Sequence, residues 1–272
     1  MLKTLLRNPA IHLLSGALVL SAAPVPAQAQ NAGKVSAKSF VEDFDKLDRQ
    51  RWYISDGWSN GDHQNCTWSA RQVSVADGKL KIGFAKEDYK ERNYVCGEVQ
   101  TKERYGYGTF EVRMKAAAGS GLNTGFFSYI GPVDKQPHDE IDFEVLGKDP
   151  SKVQVNQYVN AKSVGSAKLV EVTGGADKDF HDYAFVWEEG RIAWYVDGVL
   201  VDEATEADKL PSHASKIFIS LWGSDILTSW MGPFEDPGAP IAAEVERVSY
   251  TAPGDDCQFP ESIVCKLKQG VR

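Results

Sequence analysis

The chain has 272 residues, 11% of them aromatic, and carries 30 Lys and Arg against 38 Asp and Glu, a formal net charge of −8. That acidic balance excludes a nucleic-acid partner. Past the first residues no stretch approaches the roughly 20 consecutive apolar positions of a bilayer span, so no membrane span is expected after leader removal, and the length suits one large β-domain.

Lys3 and Arg7 precede an apolar run from Leu13 to Ala23 and then Ala27-Gln28-Ala29, the pattern of a cleaved secretory signal over residues 1–29. Ser15, Gly16 and Ser21 interrupt the run, which argues against a membrane anchor. The chain is therefore expected to be secreted, extracellular or periplasmic. A catalytic domain is expected over 30–250 and a C-terminal tail over 251–272. Nothing in the sequence calls for a partner subunit, and a monomer is expected.

Four cysteines in an exported chain point to two disulfides. The short spacing of Cys257 and Cys265 makes them a local staple, leaving Cys66 to pair with Cys96. The absence of a C-x-x-C motif and of an adjacent histidine pair argues against zinc.

Short alternating segments separated by Gly, Asp, Asn and Pro recur along the chain: 79–84, 108–115, 140–146, 152–158, 183–187, 192–196 and 217–221. Such spacing predicts an all-β sandwich. Phe110, Val112 and Met114 alternate with Glu111, Arg113 and Lys115, so apolar and charged side chains take opposite faces of a half-buried strand. Asp197-Gly198 between two apolar runs predicts a tight hairpin.

The segment 138–145 alternates strictly. Ile141, Phe143 and Val145 share one face, while His138, Glu140, Asp142 and Glu144 share the other. A solvated outer face is the ordinary reading of such a pattern. Here same-face carboxylates recur about every 7 Å with no Lys or Arg between them, which is unfavourable without a function. The α-carbons of Glu140 and Glu144 should lie about 13 Å apart, and inward-leaning side chains can close much of that gap. A carboxyl pair at about 5 to 5.5 Å serves a retaining glycosidase, one attacking the anomeric carbon and one protonating the departing oxygen. Glu140 is expected to stay ionised as nucleophile and Glu144 to be held protonated as acid/base, with Asp142 between them titrating as part of the set. Three carboxylates could instead hold calcium, but a regular strand turns its carbonyls into the sheet ladder and leaves the coordination shell incomplete.

Sugar rings stack on aromatic side chains, and the chain has seven tryptophans. Trp58 and Trp230 lie in polar loop contexts and are candidates for substrate contact, whereas Trp187 and Trp194 read as core.

Glu140-Ile141-Asp142-Phe143-Glu144, followed by Leu146-Gly147-Lys148-Asp149, resembles the bacterial lichenase branch of glycoside hydrolase family sixteen. The likeness extends through 56–60, 65–68, 105–108, 126–129, 152–156 and 194–198, covering about Phe40 to Tyr250. It implies a jelly-roll sandwich with substrate across its concave face, and retaining endo-hydrolysis. It also implies that Glu140 is the nucleophile, Asp142 the assisting acid and Glu144 the acid/base. Trp58, Asn60, Phe127, Tyr129, Asn156, Tyr158, Trp222 and Trp230 match cleft residues, and Cys66 and Cys96 match the family's disulfide. The triplet lacks the residue that the laminarinase branch inserts between the second and third acids, which favours β-1,3-1,4 over pure β-1,3 linkages.

Three positions depart from lichenases: Gln100 replaces arginine, His138 tryptophan and Ser220 asparagine. Gln100 and His138 are therefore counted among the substrate-contacting candidates. The combination is closest to the rhizobial endo-β-1,3-1,4-glycanases that shorten succinoglycan, an exopolysaccharide. No cofactor is expected for catalysis. A structural Ca²⁺ is possible by the same likeness, although its side-chain ligand position carries Glu246 instead of aspartate. The competing expectations are a plain lichenase, a transglycosylase using the same covalent intermediate, and a lectin-like glycan-binding protein without catalysis.

Overall fold

The computed structural model describes residues 34–270; the expected leader, residues 1–29, lies outside the described residues. In chain order the strands are β1 (Val35–Ser36), β2 (Phe40–Glu42), β3 (Trp52–Ile54), β4 (Cys66–Trp68), β5 (Val73–Ala76), β6 (Lys79–Tyr89), β7 (Arg92–Thr101), β8 (Arg104–Tyr105), β9 (Gly108–Lys115), β10 (Leu122–Ile130), β11 (Asp139–Leu146), β12 (Lys152–Val159), β13 (Lys162–Ser163), β14 (Lys168–Glu171), β15 (His181–Glu188), β16 (Arg191–Val196), β17 (Val199–Ala204), β18 (Lys216–Gly223) and β19 (Ile241–Thr251). Two short helices, α1 (Thr228–Met231) and α2 (Ile263–Lys268), accompany them.

The strands fold into two layers. One runs β3-β7-β18-β10-β11-β12, with β13 and β14 on the far side of β12. The other runs β17-β16-β15-β9-β19 and continues from β19 to β2 and β6. Strand β7 belongs to both, its first half pairing with β6 and its second with β18. Pairing is antiparallel except for β4 on β7 and β1 on β8.

Alternation decides which side chains meet between the layers. Phe126, Ile141, Phe143, Val145, Ile217 and Ile219 of the first layer join Phe110, Val112, Tyr183, Phe185, Trp187 and Val245 of the second in one core. Phe143 meets Tyr183 edge-on at 5.4 Å and Phe126 meets Phe185 at 5.8 Å across the gap. Each such aromatic contributes roughly 1.5–3 kcal/mol by leaving water.

All seven expected strand segments form, and Trp187 and Trp194 are core as anticipated. Asp197 and Gly198 adopt φ of 52° and 83° between β16 and β17, the backbone that a two-residue hairpin turn demands. The Cys66–Cys96 disulfide links β4 to β7, and Cys257–Cys265 closes the tail.

The outer face of β9 differs from a simple solvated surface. Glu111 is buried there because the tail crosses it: Ser262 Oγ and the Ile263 N–H donate to its carboxylate at 2.7 and 2.8 Å. Ile263, Val264 and Leu267 of α2 cover Ala184, Val186, Ala193 and Tyr195 in a second apolar cluster.

Candidate active site

Strand β11 is regular along its whole length, pairing without a bulge to β10 on one side and β12 on the other. Its period of two sends Ile141, Phe143 and Val145 into the core and leaves Glu140, Asp142 and Glu144 on the opposite face. In-register pairing then places their neighbours. Gln100, Phe218, Phe127, Asp142 and Asn156 form one cross-strand row, and Lys216, Tyr129, Glu140 and Tyr158 form the next. Glu98, Ser220, Gly125, Glu144 and Gln154 form the row on the other side of Asp142.

The three carboxylates have distinct surroundings. Glu140 Oε2 lies 2.7 Å from His138 Nε2. Burial raises the Asp142 pKa well above the usual carboxylate range, with the Glu140 and Glu144 charges and a hydrogen bond to Glu140 adding to it. Oδ2 of Asp142 has no hydrogen-bond partner. Burial pushes Glu144 up to about 8; a hydrogen bond from Asn123 Nδ2 to its Oε1, 2.8 Å long, opposes the rise, and the Glu140 charge adds to it. A carboxylic acid that keeps its proton at neutral pH, two positions along the strand face from a carboxylate, is what acid-assisted displacement requires.

Aromatic side chains surround the row. Phe127 stacks on Phe218 at 5.0 Å, Tyr129 meets Phe218 edge-on at 5.8 Å, and His138 stacks on Tyr158 at 5.4 Å. Burial pushes the Tyr129 hydroxyl up to about 12 and also raises Tyr158, with the three acids adding to the latter. Trp222 lies at the end of β18, 6.1 Å from Trp230, whose indole N–H donates to Gln154 Oε1 at 2.9 Å. Asn156 exchanges hydrogen bonds with Ser163 across the β12–β13 hairpin.

Trp58 and Asn60 lie in the loop that leads to β4. Trp58 packs edge-on against Trp68 at 6.3 Å, and Asn60 Oδ1 accepts from the Trp68 indole at 3.4 Å. The same loop touches the Trp222 end, since the Asn65 N–H bonds the Gly223 carbonyl and His63 meets Trp222 edge-on at 5.7 Å. Gln100 is buried beside Phe218.

Three further polar residues of this sheet are absent from the sequence expectations. Asn123 bonds Glu144 directly. Glu98, 3% exposed, has its pKa raised to about 7 by burial despite a hydrogen bond from Ser55 Oγ at 2.5 Å. Asp139, next to Glu140 but turned the other way, accepts from Ser212 N–H, His213 N–H and Asn160 N–H, and its Oδ2 lies 2.7 Å from His213 Nδ1. Burial opposes its ionisation, but those bonds prevail and hold its pKa below the usual value. The available signal for Glu98 and Asn123 was strand alternation in 92–101 and 122–130, which places both on the face of β7 and β10 away from the core.

No group of three or more His, Cys, Asp or Glu side chains among the described residues is arranged to hold a metal. Glu246 gives its carboxylate to Arg113 Nε at 2.9 Å and lies 4.0 Å from Lys79 Nζ. Two cations thus face the carboxylate that the likeness matches to a calcium ligand.

Comparison with known proteins agrees with this geometry. The chain is 59% identical over 232 residues to the endo-1,3-1,4-beta-glycanase ExoK of Rhizobium meliloti, covering 85% of this chain and 86% of the relative. It is 42% identical over 214 residues to the beta-glucanase of Paenibacillus macerans, covering 78% and 88%. The solved structure of Bacillus licheniformis beta-glucanase superposes with a TM-score of 0.74 at 39% identity, covering 78% of this chain and 97% of that one. Residues 60–236 match the model of glycosyl hydrolases family 16, and with these relatives they establish that the chain is a glycoside hydrolase belonging to that family.

Proposed function

We propose that the mature chain is an exported, retaining endo-1,3-1,4-β-glycanase that shortens a succinoglycan-type exopolysaccharide, with Glu140 as nucleophile, Glu144 as acid/base and Asp142 assisting. The observation that carries this reading is the row of three acids on one regular strand, its end member held protonated to about pH 8 by burial. The 59% identity to an enzyme named endo-1,3-1,4-beta-glycanase supports the linkage.

In the first half-reaction the Glu140 carboxylate bonds to the anomeric carbon as the glycosidic C–O bond breaks, and the Glu144 proton passes to the departing oxygen. The Glu144 carboxylate then takes a proton from water, whose oxygen bonds to the anomeric carbon and releases Glu140. Two inversions give net retention, with one water consumed. Asp142, uncharged through burial, hydrogen-bonds Glu140 and spares it a second adjacent anion.

Phe127, Tyr129, His138, Asn156, Tyr158 and Gln100 flank the acids as contacts for sugars near the cleaved bond, and Trp222, Trp230, Trp58 and Asn60 extend the surface at one end. Two disulfides accord with an oxidising compartment and hence with export, and the exported chain, without residues 1–29, is read as a monomer. Residues 30–250 then form the catalytic unit.

The test is size-exclusion profiling of succinoglycan, barley mixed-linkage glucan and laminarin after incubation with wild-type protein and with Glu140→Gln. A fall in succinoglycan mass with wild type alone is expected. Cleavage confined to barley glucan assigns a lichenase instead, and unchanged polymers with retained binding assign a lectin. Glu140→Ala should lose turnover and regain it with azide, giving an inverted azide product; a retained product overturns the nucleophile.

A further inference from the structure

We propose that Asn123 is a positioning residue for Glu144, its amide N–H holding Oε1 so that the proton given to the departing oxygen resides on Oε2. The inference rests on Glu144 being the acid/base.

Asn123 lies on β10, two residues from Gly125, the residue directly across from Glu144. Gly125 puts no side chain between the strands, so Glu144 leans to the diagonal position and meets Asn123 Nδ2 at 2.8 Å. Asn123 is 1% exposed, and its Oδ1 has no hydrogen-bond partner. A buried amide with one end unsatisfied costs folding free energy, and its other end is committed to a carboxyl oxygen that has no second donor. The one hydrogen bond that the Asn123 side chain makes thus goes to the acid.

That bond serves both half-reactions. A protonated carboxyl has one oxygen bearing hydrogen and one accepting; a fixed N–H donor at Oε1 leaves Oε2 as the proton's place and stops the acid from turning its hydrogen toward the wall. Once the proton has left, the same N–H bonds the resulting carboxylate, and a charged acceptor strengthens it. The charged and titratable groups that act on this pair are Glu140 and Asp142 on the same strand and Tyr158 on β12. Glu98 stands in the same row, beyond Gly125 and Ser220. None of them donates to Oε1.

The experiment compares wild type, Asn123→Leu, Asn123→Asp and Glu144→Gln. The readouts are kcat/KM on the natural polysaccharide and on an aryl glycoside with an activated leaving group, across pH, with melting temperature as the folding control. Asn123→Leu is expected to lose about tenfold on the polysaccharide and less than about twofold on the aryl substrate, since only the first needs an oriented acid. Its basic limb should move up by about one pH unit, because the anion has lost its donor. Asn123→Asp, close in size but unable to donate when ionised, should move the limb the same way. Equal losses on both substrates with an unmoved limb, in either folded variant, overturn the proposal. If Glu144→Gln itself fails to discriminate the two substrates, the acid assignment falls and this one with it; if it discriminates and the Asn123 variants do not, Asn123 alone is at fault.

Discussion

His138 Nε2 lies 2.7 Å from Glu140 Oε2, with the imidazole stacked on Tyr158 and edge-on to Tyr129 at 5.0 Å. The ring is thus committed to Glu140, Tyr158 and Tyr129 on three sides. Losing one hydrogen bond to a charged group costs about 1.5–3 kcal/mol. His138→Phe, which keeps the packing and removes the N–H, should lower kcat by about tenfold or more while KM changes little. Steady-state kinetics on mixed-linkage glucan checks this; an unchanged kcat with a raised KM would assign His138 to sugar binding alone.

The buried carboxyls set a pH dependence for stability. Burial raises Glu98 from 4.5 to about 7 in the folded chain. A folded-state pKa above the unfolded one means that stability is full below about pH 4.5, is lost as pH rises toward about 7, and levels off above that. Glu98→Gln should therefore flatten the melting-temperature profile between those limits. An equally steep decline in the variant would show that another group controls it.

For activity, the same sign applies to Glu144, whose proton the proposed first half-reaction uses and burial holds to about pH 8. The kcat/KM profile on unactivated polysaccharide should fall above about pH 8. A plateau continuing to pH 10 would remove Glu144 from the acid role.

How much of this was legible beforehand depended on whether a feature lay along the chain or across it. The alternation in 138–145 announced both the strand and its acid face, because period two is a local property that the core then enforces through Ile141, Phe143 and Val145. Asp197-Gly198 announced its turn for the same reason: few residue pairs adopt positive φ at two successive positions. The contacts of Asn123 and Glu98 were not legible, since they depend on the register of β10 and β7 against strands 20 to 120 residues away in sequence. Glu111 read as a solvated charge on an alternating strand because nothing local indicates that residues 262 and 263 will cover it. Trp58 and Asn60 could be placed in a polar loop, but their packing on Trp68 required the fold.

On the outer layer, Arg113 bonds Glu246 at 2.9 Å and Asp182 at 3.3 Å, supplying positive charge where the family likeness had raised a structural calcium. Treatment with EDTA should therefore leave both melting temperature and turnover unchanged, whereas Arg113→Ala should lower the melting temperature in the presence or absence of chelator. A loss of several degrees on chelation, reversed by Ca²⁺, would show that a cation is bound after all.

The tail offers the last test. Glu111 is buried with its pKa raised by burial, and its three partners, Ser262, Ile263 N–H and Ser249, pull the other way. Removing residues 256–272 would expose Ala184, Val186, Ala193 and Tyr195 and deprive Glu111 of two of those donors. The acids lie on the other layer, so the loss should register in stability and leave kcat near its wild-type value. The 257–265 disulfide closes a short loop, worth about 2–3 kcal/mol by chain entropy, so Cys257→Ser with Cys265→Ser should reproduce part of the effect. Adding Glu111→Leu to the truncated chain should recover some melting temperature, because it removes the carboxyl stranded without its partners. Denaturant titration of the four proteins separates these contributions, and a truncated chain as stable as the full one would make the tail a passive appendage.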